Sequence, residues 1–351
     1  MAERGKGTSS RLMMLTGIVM FAGNCSQAPS VKIVDLDTGT TTRIESVLFD
    51  SSRRELLIPG PRSSDRFFTL TEMKNGVFMR ILHVDGRVLE TRAIPLEHGL
   101  SSRGTRFRNA AALSGDGRWL AYFDDTRDSF LKIDTSTGAE VSVVPDRDLW
   151  VEYLGWATEG ETLLVVAQDG VNPRRFPDVF ARVDFPSKKL ETLYTDEDLY
   201  ADEFAISPGG NYFALRLNDG PRLKVIDLTA KTSFFVNPEK TFAQDFCWSP
   251  DGTQLAYLAP PPFEIVVLSM PERTVKAKVS AKQVGGILCG LAFLDEEHLI
   301  CGDGGASGDG RGLKIVDLKT GQLTKQFRVS FDGRILVVDN GKKITCNKGP
   351  N

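Results

Sequence analysis

One phrase recurs along the chain in the form apolar-x-apolar-Ser-x-x-Gly-x-x-apolar-apolar: "ALSGDGRWLAYF" at 112–123, "AISPGGNYFALRL" at 205–217 and "CWSPDGTQLAYL" at 247–258. Looser copies read "GWATEGETLLVVA" at 155–167, "AFLDEEHLICG" at 292–302 and "VSFDGRILVVD" at 329–339. Each spells a strand, a tight turn and a second strand. Asp and Gly tolerate turn dihedrals that branched residues resist, and the flanking Val, Leu, Phe, Tyr and Trp suit a pleated surface. After a short break a second phrase follows, as in "FLKIDTSTGAEVSVV" (130–144), "PRLKVIDLTAKTSFFV" (221–236), "FEIVVLSMPERTVKAKV" (263–279) and "GLKIVDLKTGQLTKQF" (312–327). It writes another hairpin, so the two phrases together predict a four-stranded meander.

From Ser114 to Ala157, Ser207, Ser249 and Leu294 the turn position advances by 43, 50, 42 and 45 residues. A period of roughly 40–50 residues with four strands per repeat is the mark of a β-propeller blade. Helical repeats of that length are set aside, because no stretch after residue 30 holds apolar residues at helical spacing over several turns. Blades are expected at 46–96, 107–145, 150–195, 203–237, 243–280 and 288–327. In the divergent first of these, "SVLFDSSRRELLI" is taken as one hairpin and "FMRILHVDGRVLETRAI" (78–94) as the second, with "PGPRSSDR" (59–66) between them.

Two fragments remain. "VKIVDLDTG" at 31–39 echoes "LKIVDLKTG" at 313–321 but has no first phrase before it, and "VSFDGRILVVD" has no second phrase after it. Each supplies what the other lacks. The expected fold is therefore all-β, a seven-bladed β-propeller closed by pairing of N- and C-terminal strands, with six blades as the alternative. It forms one domain over 31–351. Asp35, Asp134, Asp227 and Asp317 recur at the start of the second turn, where a hairpin-capping hydrogen bond explains them better than metal binding does.

The "SPDG" turn, the "LAY" strand and the "IVDLKTG" hairpin resemble the TolB-like and WD-like propeller repeats of bacterial envelope proteins, over most of the chain after residue 31. The resemblance implies a propeller and no single activity, since such repeats serve partner-binding proteins, periplasmic scaffolds and the propeller domains of oligopeptidases.

Ahead of the repeats, Arg4, Lys6 and Arg11 precede the uncharged "LMMLTGIVMFAG" at 12–23, a core too short to span a bilayer. Residues 1–30 thus read as an export segment. "FAGNC" resembles a bacterial lipoprotein signal, which implies lipidation of Cys25, although Asn24 stands where the pattern prefers Gly, Ala or Ser. A plain secretory signal cleaved near "SQA" (26–28) is the other reading. The expected location is exported, in the periplasm or at the cell surface, with or without the lipid anchor.

Net charge is −3 and the 43 Lys and Arg are scattered, so no positive field holds a nucleic-acid backbone. Three His, far apart, and no CxxC pair argue against a structural zinc. Cys289 and Cys301 have two readings, a disulfide across a hairpin or buried free thiols on strands. No Gly-x-Ser-x-Gly elbow is present, so hydrolysis by a serine nucleophile has no constellation. "GDGGASGDGRG" (302–312) lacks both the Gly-Lys-Ser/Thr ending of a phosphate loop and the ligand alternation of an EF-hand. No cofactor, catalytic residue or metal ligand is assigned.

What remains is recognition by the loops joining second to third strands, which a propeller presents on one face. Their candidate contact residues are Asp125, Arg127, Arg174, Arg175, Asp219, Arg222, Phe263, Asp303 and Asp309. The expected function is non-catalytic binding of a protein or peptide partner in the cell envelope by a monomer, touching the membrane only through the anchor. The alternative is a propeller hydrolase or lyase with a divalent metal in the central channel. A sensor or carbohydrate-binding part of a larger surface complex is a third reading.

Overall fold

The computed structural model describes residues 30–38, 40–45, 55–59, 66–73, 76–83, 85, 87–94, 111–124, 127–158, 160–169, 179–195, 201–217, 222–236, 244–259, 263–286, 288–303, 312–328, 335–338 and 343–347. Among them lie seven four-stranded antiparallel sheets. We number the sheets I to VII: sheet I joins 30–45 to 335–347, and sheets II to VII occupy 55–94, 111–143, 149–195, 201–235, 244–280 and 288–327. Sheet IV shows the plan, with Leu149–Thr158, Thr162–Asp169, Val179–Asp184 and Lys189–Thr195 paired in that order.

Inner strands are buried almost continuously. Every residue of Gln254–Ala259 except the last is buried, and Leu223–Asp227 is the same. A strand that is covered on both faces loses the polar alternation of a half-solvated one. The outermost strands keep polar, exposed positions, as in Leu323–Phe327, where only Phe327 is buried. Charged, short outer strands of this kind blunt edge-to-edge pairing.

The core is accordingly distributed between sheets. Met79 of sheet II packs with Leu120 and Leu131 of III, Phe130 of III with Trp156 and Val165 of IV, and Phe180 of IV with Phe213 and Ile226 of V. Val225 of V meets Trp248 and Val266 of VI, and Val267 of VI meets Phe293 and Val316 of VII. Two tryptophans add a polar stitch: Trp156 Nε1 donates to the Ala112 carbonyl at 3.3 Å, and Trp248 Nε1 to the Ala205 carbonyl at 3.2 Å, each in the preceding sheet.

The recurrent Ser is a turn residue. Ser249, fully buried, accepts the Gln254 N–H through Oγ at 2.9 Å and donates to Asp251 at 2.6 Å. Ser114 repeats this with Trp119 (2.8 Å) and Asp116 (2.6 Å). Gly252 follows at φ +74°, and a Cβ there would fall 2.5 Å from the Pro208 carbonyl oxygen of the preceding sheet. Only glycine permits both the backbone conformation and the approach.

The second turn confirms the capping reading of the Asp residues. Oδ1 of Asp35 accepts the amides of Asp37 and Thr38 at 3.0 and 2.8 Å. Asp227 does so for Thr229 and Ala230 (3.0 and 2.8 Å), Asp317 for Lys319 and Thr320 (2.8 Å each) and Asp134 for Ser136 and Thr137 (2.9 and 3.2 Å).

Two repeats differ from the sequence reading. In sheet II, "ELLIP" is the first strand, not the second half of a hairpin, and Glu55–Pro59 pairs with Arg66–Met73. In sheet I, Ile335–Val338 is likewise the first strand, and the strand that meets the amino-terminal Ser30–Asp35 is Lys343–Asn347, beyond the 329–339 hairpin expected to do so. Both segments are branched and apolar enough for either place. What decides is the partner: 66–73 offers eight ladder positions against Gly76–His83, and Asn340-Gly341 writes a hairpin signal after Val338. The echo between 31–39 and 313–321 holds in position, since Ser30–Asp35 and Leu313–Asp317 are both third strands.

Cys301 is buried, with its Sγ 3.7 Å from the Lys314 carbonyl, and the Cys289 side chain, on which the choice between a disulfide and buried thiols falls, lies outside the described ones.

Candidate functional site: the loop end of the sheets

An antiparallel meander sorts its connections by end. First-to-second and third-to-fourth turns share one end of each sheet, and second-to-third loops share the other with the links between sheets. At the turn end, Ser, Asp and Thr side chains are engaged by their own turns, as described. The loop end holds 125–128, 170–178, 218–222, 260–263 and 304–312, all second-to-third connections as expected.

Each first strand descends from that end, and four in succession carry a bulge. The register shifts between Val151 and Tyr153, Ala201 and Glu203, Gln244 and Phe246, and Cys289 and Leu291. The extra residues are Glu152, Asp202, Asp245 and Gly290. Bulges bend a strand and leave one residue unpaired, and they gather beside functional sites. Asp245 (φ +40°) and Gly290 (φ +59°) are both left-handed. They are also bonded to one another: Asp245 Oδ2 accepts the Gly290 N–H at 2.9 Å.

Of the sequence-expected contact residues, three have described side chains. Arg127 is already engaged, with Nε 3.4 Å from the buried Asp124 carboxylate and a terminal nitrogen 2.8 Å from Glu140. That grip makes it a brace of sheet III more than a hand extended to a partner. Arg222 is half-buried with its guanidinium 4.5 Å from the Phe235 ring centroid. Beneath it, the buried Lys224 places Nζ 5.6 Å from the same ring and 5.8 Å from that of Tyr194 in sheet IV. Phe263, half-buried at φ +32°, packs on the cluster between sheets VI and VII and accepts the Ala281 N–H through its carbonyl at 2.8 Å. Asp303 ends a second strand opposite Leu288. Asp125, Arg174, Arg175, Asp219, Asp309 and Cys25 lie outside the described residues.

Two features escaped the sequence reading. Trp150, the second residue of sheet IV, is 50% exposed, and Val144, just past the last strand of sheet III, is 69% exposed. The acidic bulge residues also recur, four or five positions before Ala157, Ser207 and Ser249; the varying offset conceals them. Among the described residues no three His, Cys, Asp or Glu side chains gather closely enough to hold a metal ion.

No family model matches the sequence, and no curated protein matches it. Solved structures do. Oligogalacturonate lyase in complex with manganese superposes with a TM-score of 0.58 at 14% identity, over 90% of this chain and 86% of that one. Hydrazine synthase of Kuenenia stuttgartiensis follows at 0.51 and 14%, over 80% and 89%. The β-propeller domain of Cps50 (Swd1) from Myceliophteria thermophila gives 0.47 and 12%, over 83% and 95%. These neighbours are β-propeller proteins, and the first two, above 0.5, carry the assignment: the chain has the propeller fold. At such identities the likeness speaks of the fold alone.

Proposed function

We propose that the chain is an exported seven-bladed propeller that binds a protein or peptide partner in the cell envelope through its loop end and catalyses nothing. The seven sheets are its blades. Sheet I, shared between the termini, closes the ring, with Ile335–Val338 lying against the first strands of both sheets VII and II. The observation that carries the binding reading is the division of labour between the ends. Polar side chains at the turn end are engaged by their own backbone, whereas the loop end gathers connections of unequal length and mixed charge on a rigid frame. Export rests on the amino-terminal segment, with Cys25 lipidated or the segment cleaved nearby.

Capture from native membranes tests this. The wild-type chain is expected to retain a partner that is lost from an Arg174→Glu, Arg175→Glu, Asp219→Arg triple variant. Equal capture by both, or turnover of lactones, sugars or peptides by the purified protein, would overturn the reading.

A second reading, a hydrolase or lyase with a divalent cation in the channel, is favoured by the acids at three consecutive first-strand bulges and by a propeller neighbour whose structure is a manganese complex. Carboxylate oxygens suit a hard cation, although Asp245 already gives one oxygen to Gly290. A manganese-dependent rise in Tm that vanishes in a Glu152→Gln, Asp202→Asn, Asp245→Asn variant would support it; no rise in the wild type removes it.

A further inference from the structure

The described chain begins at Ser30, and Ser30–Asp35 is a third strand, antiparallel to Lys343–Asn347. Third strands run from the loop end to the turn end, so Ser30, where the chain enters sheet I, stands at the loop end. The sequence ahead of it includes the apolar 12–23 and, five positions before Ser30, Cys25. Five residues reach at most about 17 Å when fully extended. Whether lipid on Cys25 or the apolar stretch itself meets the bilayer, the tether turns the loop end toward it.

The same end exposes Trp150 and Val144, which flank the link between sheets III and IV. The other three tryptophans are occupied. Trp156 and Trp248 donate to the preceding sheet, and Trp119 lies under Arg118 and Lys132, each 4.6 Å from its ring centroid. Between Val144 and Trp150 in sequence stand two exposed acids, Asp146, which has Arg147 at 3.5 Å, and Asp148. Among the described residues the other large exposed apolar side chains, Val88, Leu89, Val275 and Leu323, begin outer strands at the turn end and are spread over sheets II, VI and VII. An indole has an apolar body and one N–H donor, which suits the boundary between headgroups and acyl chains. One acyl chain gives only marginal membrane binding, so a second contact is needed for a lasting attachment.

We infer that the loop end of the propeller rests on the membrane surface, with Trp150 and Val144 inserted at the headgroup boundary. The inference rests on the anchored form of the export reading, with Cys25 lipidated or the apolar stretch retained, but not on any partner. A partner bound by the remaining loops of that end is met in the plane of the membrane.

The test uses the full chain reconstituted on vesicles of phosphatidylethanolamine and phosphatidylglycerol, with lipids brominated near the headgroup as quenchers of tryptophan fluorescence. The wild type is expected to show a quenched component that is absent from Trp150→Phe, while urea denaturation shows both proteins equally folded. Val144→Asp is expected to weaken the quenching about tenfold in lipid titration, the lower end of what burying an apolar side chain contributes. Quenching that is absent from the wild type, or identical in Trp150→Phe, overturns the inference. So does shielding of Trp150 that appears only when a captured protein is added, which assigns the patch to that protein. Failure to capture any partner, with quenching intact, counts against the proposed function alone.

Discussion

The carboxylate of Asp245 accepts the backbone N–H of Gly290, one sheet further on, at 2.9 Å. Both residues are the extra members of bulges in first strands, so the bond joins two irregularities and satisfies the backbone amide that the second would leave unmet. Asp245→Ala is expected to lose about 1–3 kcal/mol, the cost of a buried donor without its acceptor. Asp245→Asn retains an acceptor and tolerates the left-handed backbone, so it is expected to lose less than about 1 kcal/mol. Urea denaturation at neutral pH reads both. An alanine variant as stable as the wild type would show that this bond does not hold the first strands in place.

Two turn glycines separate backbone conformation from crowding. Gly209 has φ +85° with nothing within 4 Å of a built Cβ, whereas Gly252 has φ +74° and the Pro208 oxygen at 2.5 Å. Gly209→Ala is expected to lose about 1–2 kcal/mol, the conformational part alone. Gly252→Ala should lose clearly more, because it must also displace a neighbouring backbone. Equal thermal shifts for the two variants would contradict the close contact between sheets V and VI.

Acid sensitivity follows from the second-turn caps. The Ser136 hydroxyl and amide, with Arg118, hold the Asp134 carboxyl well below the usual carboxylate range, and the Thr320 and Lys319 amides lower that of Asp317. A carboxyl whose folded pKa lies below its unfolded value of about 3.9 stabilises the fold fully above that value, and loses the contribution as pH falls through the folded one. The gap in urea midpoint between wild type and an Asp134→Ala, Asp317→Ala variant should therefore be widest at neutral pH and shrink below about pH 4. A gap that stays constant to pH 2 would remove these caps from the acid response.

Removal of residues 31–44 would strip two strands from sheet I and leave Lys343–Asn347 with one edge open. Such an edge pairs readily with other chains. The truncated protein is expected to elute as aggregate or oligomer and to melt at lower temperature than the full chain. A monomer of unchanged Tm would contradict closure by the termini.

Much of this architecture was legible in the sequence because the turns are chemically demanding. A buried Ser bonded across the turn, an Asp whose carboxylate caps two amides and a Gly at positive φ leave few substitutes, so Ser114, Ser207 and Ser249 or Asp134, Asp227 and Asp317 can be aligned by eye. Strand assignment failed where no such residue marked the place. "ELLIP" and "ILVV" are apolar and branched, and only their partners across the ladder tell a first strand from a second. The bulges were hidden for another reason. An acid that stands five residues before Ala157 and Ser207 but four before Ser249 does not align without knowing that a strand is kinked. The exposure of Trp150 is set by what packs around the start of sheet IV, which no local pattern records.

The two tryptophan stitches do not occur at consecutive interfaces. Trp156 ties sheet IV to III and Trp248 ties VI to V, while the interface between IV and V is instead filled by Tyr153, Phe180, Phe204 and Phe213. From III to VI the seams thus run stitched, aromatic-filled, stitched, and the seam between VI and VII is mostly aliphatic around Phe293. In terms of descent, a copy of sheet IV or VI set in the place of V would turn a tryptophan donor toward a surface built for rings.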